Sequence, residues 1–220
     1  MRLNHILNLG YPKCGTSWCW HVLTQQAWFS APQEKENLEL IKGVGVHTYF
    51  ESYKDYDITA NFTPNNFALD RFIVKQLSEH GTVTASIILR DPFEIYWSLY
   101  NFLPQQFKSY NEYVDNLLAQ GWFNQTSLLI ERWQQYFGAR FQIFFYEDIK
   151  QDPSKFLVNY CHKMNLPKPI IIDTSFINVT RYGNRPPEVL NAKLVGIINR
   201  DIENLQMIVD QNITRWKNVS

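Results

Sequence analysis

The chain has 220 residues, with 21 lysines and arginines against 21 aspartates and glutamates, so its formal net charge is zero. A protein that binds nucleic acid through the phosphate backbone needs a basic excess, and this composition argues against that class. Because 45% of the residues are hydrophobic and 15% are aromatic, the chain can bury a sizeable core, which excludes intrinsic disorder as its main state.

No apolar run approaches the roughly 18 to 20 residues of a membrane-spanning helix, and the first residues do not follow the pattern of a signal peptide. We therefore expect a soluble, cytoplasmic protein. The cysteines, Cys14, Cys19 and Cys161, are odd in number and lack CxxC spacing, so neither a disulfide framework nor a zinc site is indicated. Without repeats or linker-like stretches, residues 1–220 are predicted to form a single domain.

The first half of the chain opens with a predicted strand over residues 3–9. Gly10-Tyr11-Pro12 turns the chain, and a helix follows with Thr16 or Ser17 as its cap. Enough β-branched and aromatic residues occur in segments 45–50 and 56–62 to predict two short strands. An apolar stripe at helical spacing predicts a helix over 66–79.

The second half begins with the clearest strand, 82–89, whose apolar residues are typical of a strand buried on both faces of a parallel sheet. Asp91-Pro92 then gives a capping residue and a first-turn proline for the next helix. Further elements are predicted as helices at 110–120 and 126–137, a strand at 140–146, and helices at 152–164 and 187–216. This alternation indicates a three-layer α/β/α fold with a central, mostly parallel sheet, whose ligand lies at the carboxyl ends of the strands.

The first turn contains Gly10-Tyr11-Pro12-Lys13-Cys14-Gly15-Thr16-Ser17-Trp18. Backbone N–H groups at a helix N-terminus, together with the helix dipole and Lys13, can bind a phosphate group. In the nucleoside triphosphate pattern GxxxxGK[ST], Thr16 stands where lysine is required. The segment therefore predicts a phosphate cradle that differs from the one found in ATPases and GTPases.

A second anion site is predicted where strand 82–89 ends. Arg90 stands at the carboxyl edge of the sheet, and Ser98 follows eight residues later in the next helix. An arginine can hold a phosphate through two parallel hydrogen bonds, and the serine hydroxyl can add another. Two anion sites at one sheet edge predict a ligand with phosphates at both ends.

These motifs resemble those of the sulfotransferases that use 3′-phosphoadenosine 5′-phosphosulfate (PAPS). Residues 11–18 are similar to the family's 5′-phosphosulfate loop, usually written YPKSGTTW, and residues 89–100 are similar to its 3′-phosphate motif. Tyr146-Glu147-Asp148-Ile149 with Asp152-Pro153 looks like the YEDL…DP segment, and Thr63-Pro64 looks like the TP turn of bacterial and heparan-type members. The resemblance implies a P-loop-like fold and metal-independent sulfuryl transfer from PAPS to a hydroxyl or amine, with PAP as product.

The resemblance also implies roles for individual residues. Lys13 would stabilise the leaving phosphate, and its neighbours Cys14, Gly15, Thr16 and Ser17 would hold the same end of PAPS, with Cys14 in place of the usual serine. Trp18 would lie against adenine, unless it is a core tryptophan. Arg90 and Ser98 would hold the 3′-phosphate, aided by Arg181 and Gly183 of a late loop in which Arg185 is a spare candidate.

His47 is the best candidate for the base that accepts the acceptor's proton, because family members place His or Glu between the first helix and the TP turn. The lysine that often precedes this histidine is Gly45 here, and the glutamate before the TP turn is replaced around Ala60-Asn61. A structural histidine is therefore the alternative. Glu51 and Asp57 are the fallback bases.

Two other functions remain open at this point. A P-loop kinase for nucleotides or small molecules would use Glu147-Asp148 near a metal, although Thr16 lacks the required lysine. A catalytically inactive domain that binds PAP is the other alternative, favoured by the departures around His47. The sequence leaves the acceptor open between small molecules and carbohydrates.

Overall fold

Four strands form a parallel sheet in the computed structural model of this protein, which describes residues 4–30, 34–102, 106–120, 125–170 and 188–217. The strands are β1 (Asn4–Leu9), β2 (Ile58–Asn61), β3 (Val83–Leu89) and β4 (Phe141–Phe145), in the order β2-β1-β3-β4 across the sheet. Each strand runs parallel to its neighbour, with Leu9 opposite Ile87 and Leu89 opposite Phe145. The carboxyl ends of β1 and β3 therefore lie side by side.

Helices follow or connect these strands. They are α1 (Thr16–Thr24), α2 (Val46–Glu51), α3 (Arg71–Glu79), α4 (Pro92–Phe102), α5 (Tyr110–Gln120), α6 (Thr126–Phe137), α7 (Tyr146–Gln151), α8 (Pro153–Lys163) and α9 (Glu188–Gln206). Short 3₁₀ turns cover Pro64–Ala68, Gly138–Arg140 and Thr214–Trp216. The mixture of helices with a central parallel sheet confirms the predicted α/β fold.

Helices cover both faces of the sheet. His5 and Asn8 are three residues apart on β1, so their side chains point to opposite faces. The Tyr49 hydroxyl of α2 lies 2.8 Å from His5 Nε2 on one face, and the Tyr160 hydroxyl of α8 lies 3.3 Å from Asn8 Nδ2 on the other. Burial on both faces explains why five of the seven residues of β3 are apolar.

Aspartates begin several helices as predicted. The Asp91 carboxylate accepts a hydrogen bond from the Phe93 N–H at 2.9 Å, and the Asp152 carboxylate accepts one from the Lys155 N–H at 2.9 Å. A proline follows each aspartate, where its missing N–H has no helical partner to lose. The predicted starts of α4 and α8 are therefore confirmed.

The predicted strand over 45–50 is wrong, because this segment forms α2. Val46, Tyr49 and Phe50 have the i, i+3, i+4 spacing of one helix face, and the rings of Tyr49 and Phe50 pack edge-on against His5. A buried aromatic contact therefore outweighs the β propensity of these residues.

Two predicted helices have different limits from those expected. The segment 66–79 is divided, because Asp70 caps α3 through the Phe72 N–H at 2.7 Å and Leu69 has extended backbone. The predicted helix 187–216 ends at Gln206, whose side-chain oxygen accepts a hydrogen bond from the Ile213 N–H at 2.8 Å. In both cases a polar side chain satisfies backbone groups that would otherwise continue the helix.

The chain divides into two compact units. The first, called here the sheet unit, comprises residues 1–89 and 132–178, and the second, the helical unit, comprises residues 90–131 and 179–220. Within the helical unit, the Asp201 carboxylate accepts hydrogen bonds from the Ser127 N–H and hydroxyl at 3.3 and 3.1 Å. In the described part of the chain, none of the helices is long and apolar enough to cross a lipid bilayer.

Candidate functional site

The segment after β1, residues 10–17, is called here the phosphate loop. Its backbone has three positive φ angles, 113° at Gly10, 68° at Lys13 and 83° at Gly15. A left-handed conformation costs a lysine about 1 kcal/mol, so it persists only where the surrounding structure imposes it. Where left-handed residues lie among right-handed ones, successive N–H groups can turn toward one side, and such backbone forms anion-binding concavities in proteins.

The helix that follows the phosphate loop begins without a side-chain cap. Gly15 is its N-cap residue rather than Thr16 or Ser17, because the left-handed backbone needed there favours glycine. The first turn contains no acidic residue, and the Cys19 N–H makes a helical hydrogen bond to the Gly15 carbonyl at 3.1 Å. The N–H groups that precede Cys19, together with the helix dipole, suit an anion at this position.

Gly15 also fits closely against α7. A Cβ atom at this position would lie 2.8 Å from Ile149 Cδ1 and 3.0 Å from Tyr146 Cδ2. Both side chains belong to the YEDL-like segment, in which the sequence analysis considered only the Glu147-Asp148 pair, for the kinase alternative. The structure shows that this segment supports the phosphate loop, and its signal in the sequence was the tyrosine directly after a buried strand.

The side chains of the phosphate loop differ in exposure. Lys13 is half-buried and Ser17 is exposed, whereas Cys14 and Thr16 are buried. The Cys14 thiol lies 3.7 Å from the Pro12 carbonyl oxygen. Lys13 and Ser17 are therefore the side chains in this loop with the greater access to a ligand.

Trp18 is a core residue in this structure. Only 2% of it is exposed, and its ring packs edge-on against Phe156 of α8 at 6.0 Å between centroids. This is the alternative that the sequence left open for Trp18. Contact with adenine stays a prediction that this packing argues against.

Arg90 begins the helical unit and carries an ion pair. Its Nε and NH2 groups both donate to one oxygen of Glu94, at 3.0 and 2.9 Å. Ser98, on the same helix, is buried. A phosphate bound by Arg90 must share the guanidinium with Glu94, which the sequence pattern did not indicate.

The candidate bases lie on or near α2. His47 and Glu51 are exposed on this helix, whose Tyr49 hydroxyl contacts His5 near the amino end of β1 and accepts from Asn61 Nδ2 at 3.0 Å. Asp57 is at the amino edge of the sheet, since its carbonyl oxygen accepts from the Asn4 N–H at 2.7 Å. The phosphate loop follows the opposite end of β1, so the position of Asp57 argues against Asp57 as the base. No contact described for His47 tests its role, and it stays a predicted base.

The predicted late-loop residues Arg181, Gly183 and Arg185 lie outside the described residues. Within the described ranges, no cluster of three or more histidine, cysteine, aspartate or glutamate side chains has the arrangement of a metal site.

Several solved structures that share this fold are sulfotransferases. A sulfotransferase from Alicyclobacillus acidocaldarius aligns with a TM-score of 0.75 and 15% identity, covering 99% of this chain and 100% of that one. Mouse sulfotransferase SULT7A1 complexed with PAP aligns with a TM-score of 0.56 and 19% identity over 79% of this chain and 62% of that one. The sulfotransferase domain of the Synechococcus PCC 7002 olefin synthase aligns with a TM-score of 0.56 and 15% identity, covering 96% of this chain and 97% of that one.

A search among curated proteins finds no match to this chain. The sequence model described as "Sulfotransferase domain" matches residues 3–179, which include the phosphate loop, Arg90 and the YEDL-like segment. That match covers well over half of the 220 residues. The chain therefore belongs to the sulfotransferase domain family.

Proposed function

We propose that this protein transfers the sulfuryl group of PAPS to a hydroxyl or amine of a small molecule or carbohydrate. The observation that carries the proposal is the uncapped N-terminus of α1, preceded by left-handed Lys13 and Gly15. A phosphosulfate, the anionic mixed anhydride at the reactive end of PAPS, is a ligand that such a loop can hold. The PAP complex of the mouse relative supports the choice of nucleotide.

In the proposed reaction, the acceptor oxygen or nitrogen forms a bond to sulfur while the bond from sulfur to the 5′-phosphate oxygen breaks. PAP leaves with the additional negative charge. Lys13 and the N–H groups at the start of α1 stabilise that charge, because fixed donors need little reorganisation as it develops. The proton of the acceptor passes to a base, for which His47 is the candidate.

Arg90 and Ser98 are proposed to bind the 3′-phosphate. Arg90 is already oriented by Glu94, which uses the Nε and NH2 groups. A guanidinium has five N–H donors, so it can hold a carboxylate and a phosphate at the same time. Support for the late-loop residues Arg181 and Gly183 comes from the family resemblance.

The first experiment measures binding and turnover in wild type and in the variant Lys13→Asn. Asparagine tolerates the left-handed backbone of position 13, so the variant removes the charge without adding strain. We expect calorimetry to detect PAP binding in wild type, and sulfate transfer to a panel of phenols, carbohydrates and lipid alcohols to fall about 100-fold in the variant. Lys42→Asn, at an exposed lysine, is the matched control.

Other outcomes would assign a different function. Preference for magnesium-ATP over PAP would identify a kinase, and PAP binding without transfer to any acceptor would identify an inactive domain. The variant His47→Ala tests the base. Unchanged transfer in that variant would remove His47 from the mechanism without affecting the roles of Lys13 and the phosphate loop.

A further inference from the structure

Aromatic side chains lie at both ends of the phosphate loop. Tyr11 is near its start, and Trp20 is one helical turn after Ser17, its last residue; both aromatic residues are half-buried and keep some surface open to solvent. Residues three apart in a helix have Cβ atoms about 5 to 6 Å apart, and a long side chain leans over the preceding turn. The indole of Trp20 is therefore directed over the first turn of α1, beside the exposed Ser17.

Both rings pack against residues that follow β2. The Trp20 ring lies 5.5 Å from that of Phe62, the residue directly after β2, and the Tyr11 ring lies 5.8 Å from that of Phe67 in the next 3₁₀ turn. Because β2 runs parallel to β1, both strands end at the same edge of the sheet. These contacts, all within the sheet unit, place the two rings at the edge that carries the phosphate loop, on its β2 side.

The geometry of the proposed transfer requires the acceptor to lie close to α1. Its attacking atom must approach the sulfur to about 3 to 3.5 Å. In the proposed function, the sulfur is joined through one oxygen to the phosphate that the N–H groups of the first turn of α1 hold. The rest of the acceptor therefore lies against side chains that flank this turn, where Trp20 presents a flat apolar surface.

The neighbours of Trp20 favour an aromatic acceptor over a carbohydrate. Its ring packs edge-on against the phenyl rings of Phe29 and Phe62, at 5.8 and 5.5 Å between centroids. Phenyl rings offer no conventional hydrogen bond, so a sugar in contact with this cluster would leave hydroxyl groups without partners. An aromatic ring has no such groups on its faces, and it gains from stacking on the indole.

We propose that Trp20 binds the acceptor by stacking and thereby selects acceptors whose hydroxyl or amine is carried on an aromatic ring. Trp20 accepts no proton and takes no part in the bond changes at sulfur; it holds the acceptor ring beside the phosphate loop. This inference rests on the proposed function and narrows the class of acceptor.

The test measures acceptor binding by calorimetry in protein saturated with PAP, in which no transfer takes place. Naphthol and its fully saturated analogue, decalol, share a carbon skeleton and differ in aromaticity, and we expect wild type to bind naphthol more tightly. In the variant Trp20→Leu, the leucine keeps an apolar contact with the buried phenyl rings. We expect its affinity for naphthol to fall about fivefold, with the affinities for decalol and PAP within about twofold of wild type.

The matched control is Trp28→Leu. Trp28 is also half-buried and its ring lies 6.2 Å from that of Phe29, but it is four residues past the end of α1. This control should keep the wild-type affinities for naphthol, decalol and PAP. The variant Trp20→Phe retains a smaller ring, so its affinity for naphthol should lie between those of wild type and Trp20→Leu.

The possible results separate this inference from the proposed function. If wild type does not bind PAP, or transfers sulfate to no acceptor, the proposed function itself fails. If wild type transfers sulfate but binds naphthol no better than decalol, the function stands and the inference is overturned. The wild-type ratio of the two affinities in both Trp20 variants would also overturn it. Failure of both variants to fold would assign Trp20 to the core, with the same consequence.

Discussion

Gly15 lies where the phosphate loop packs against the YEDL-like segment, and it can do so because it has no side chain. Its left-handed backbone, with φ 83°, leads the phosphate loop into α1, and the absence of a Cβ leaves room for Tyr146 and Ile149. The sequence predicted this glycine as part of a phosphate cradle. The structure adds the reason why nothing larger fits.

The variant Gly15→Ala tests this contact. Alanine meets both an unfavourable left-handed backbone and a contact of 2.8 Å with Ile149, so we expect the free energy of unfolding to fall by about 2 to 4 kcal/mol. Gly43→Ala is the matched control, since Gly43 has φ 81° but no described atom within 4 Å of its added Cβ. Urea denaturation measures both. Equal losses in the two variants would show that backbone strain alone limits position 15.

Helix starts illustrate which elements local chemistry determines. Asp70 and Asp152 cap α3 and α8 through hydrogen bonds to N–H groups two or three residues ahead. These contacts need no distant partner, so the sequence can reveal them. α2 is different, because its helical form depends on packing around His5, whose ring lies 5.5 Å from that of Tyr49.

Removal of the side-chain cap of α8 should lower the free energy of unfolding by a small amount, which can be distinguished from the effect of removing the charge of Asp152. We expect Asp152→Ala to lower the free energy of unfolding by about 1 kcal/mol, because the Lys155 N–H loses its acceptor. Asp152→Asn retains a capping oxygen and should lose only a few tenths of that amount. Thermal denaturation of both variants is the measurement, and equal losses would mean that the charge of Asp152, rather than the cap, stabilises this helix.

At the scale of the whole molecule, polar side chains inside the sheet unit link the layers. The Tyr49 hydroxyl reaches His5 from one face of the sheet, and the Tyr160 hydroxyl reaches Ser86 at 3.0 Å from the other. Burial raises the pKa of both tyrosines well above the usual value. These hydrogen bonds favour one arrangement of helices on the sheet, since any other would leave buried polar groups unpaired.

His5 makes the stability of the sheet unit depend on pH. Burial lowers the pKa of His5 to about 3, whereas an unfolded histidine titrates near ~6.5. At pH values between these two pKa values, the unfolded state therefore binds a proton that the folded state does not bind. The contribution of His5 to stability is present above pH ~6.5 and is lost as pH falls toward about 3, by up to about 1.4 kcal/mol per pH unit.

We expect the loss of His5 to change how steeply the free energy of unfolding depends on pH. Between pH 7 and pH 5, the free energy of unfolding of the variant His5→Gln should fall less steeply with decreasing pH than that of wild type. His162→Gln, at an exposed histidine of α8, is the control and should keep the wild-type slope. Urea denaturation at several pH values provides the data. A wild-type slope in His5→Gln would mean that His5 is protonated in the folded protein.

Zero net charge is compatible with a site for a highly anionic donor, because binding depends on local groups. In the phosphate loop, the half-buried Lys13 stands beside N–H groups at an uncapped helix start. Arg90 in the helical unit is paired with Glu94, which reduces its local charge. The balance of charges over the chain therefore says little about either site.

Local patterns in the sequence by themselves indicated the α/β fold and most helix starts, and they located the four strands while adding a fifth, at 45–50, that is a helix. Alternating apolar segments, aspartate-proline caps and the glycines of the phosphate loop act through neighbouring residues, so their effects can be predicted from spacing. Lys13, Gly15 and Arg90 could be identified as candidates for the site from the same local patterns.

Only the tertiary structure decided the features that depend on residues distant in the chain. The helix at α2, the packing of Tyr146 and Ile149 against Gly15, and the core position of Trp18 all result from such contacts. Local sequence patterns thus indicated the candidate site residues, and long-range packing determined which of their side chains are accessible to a ligand.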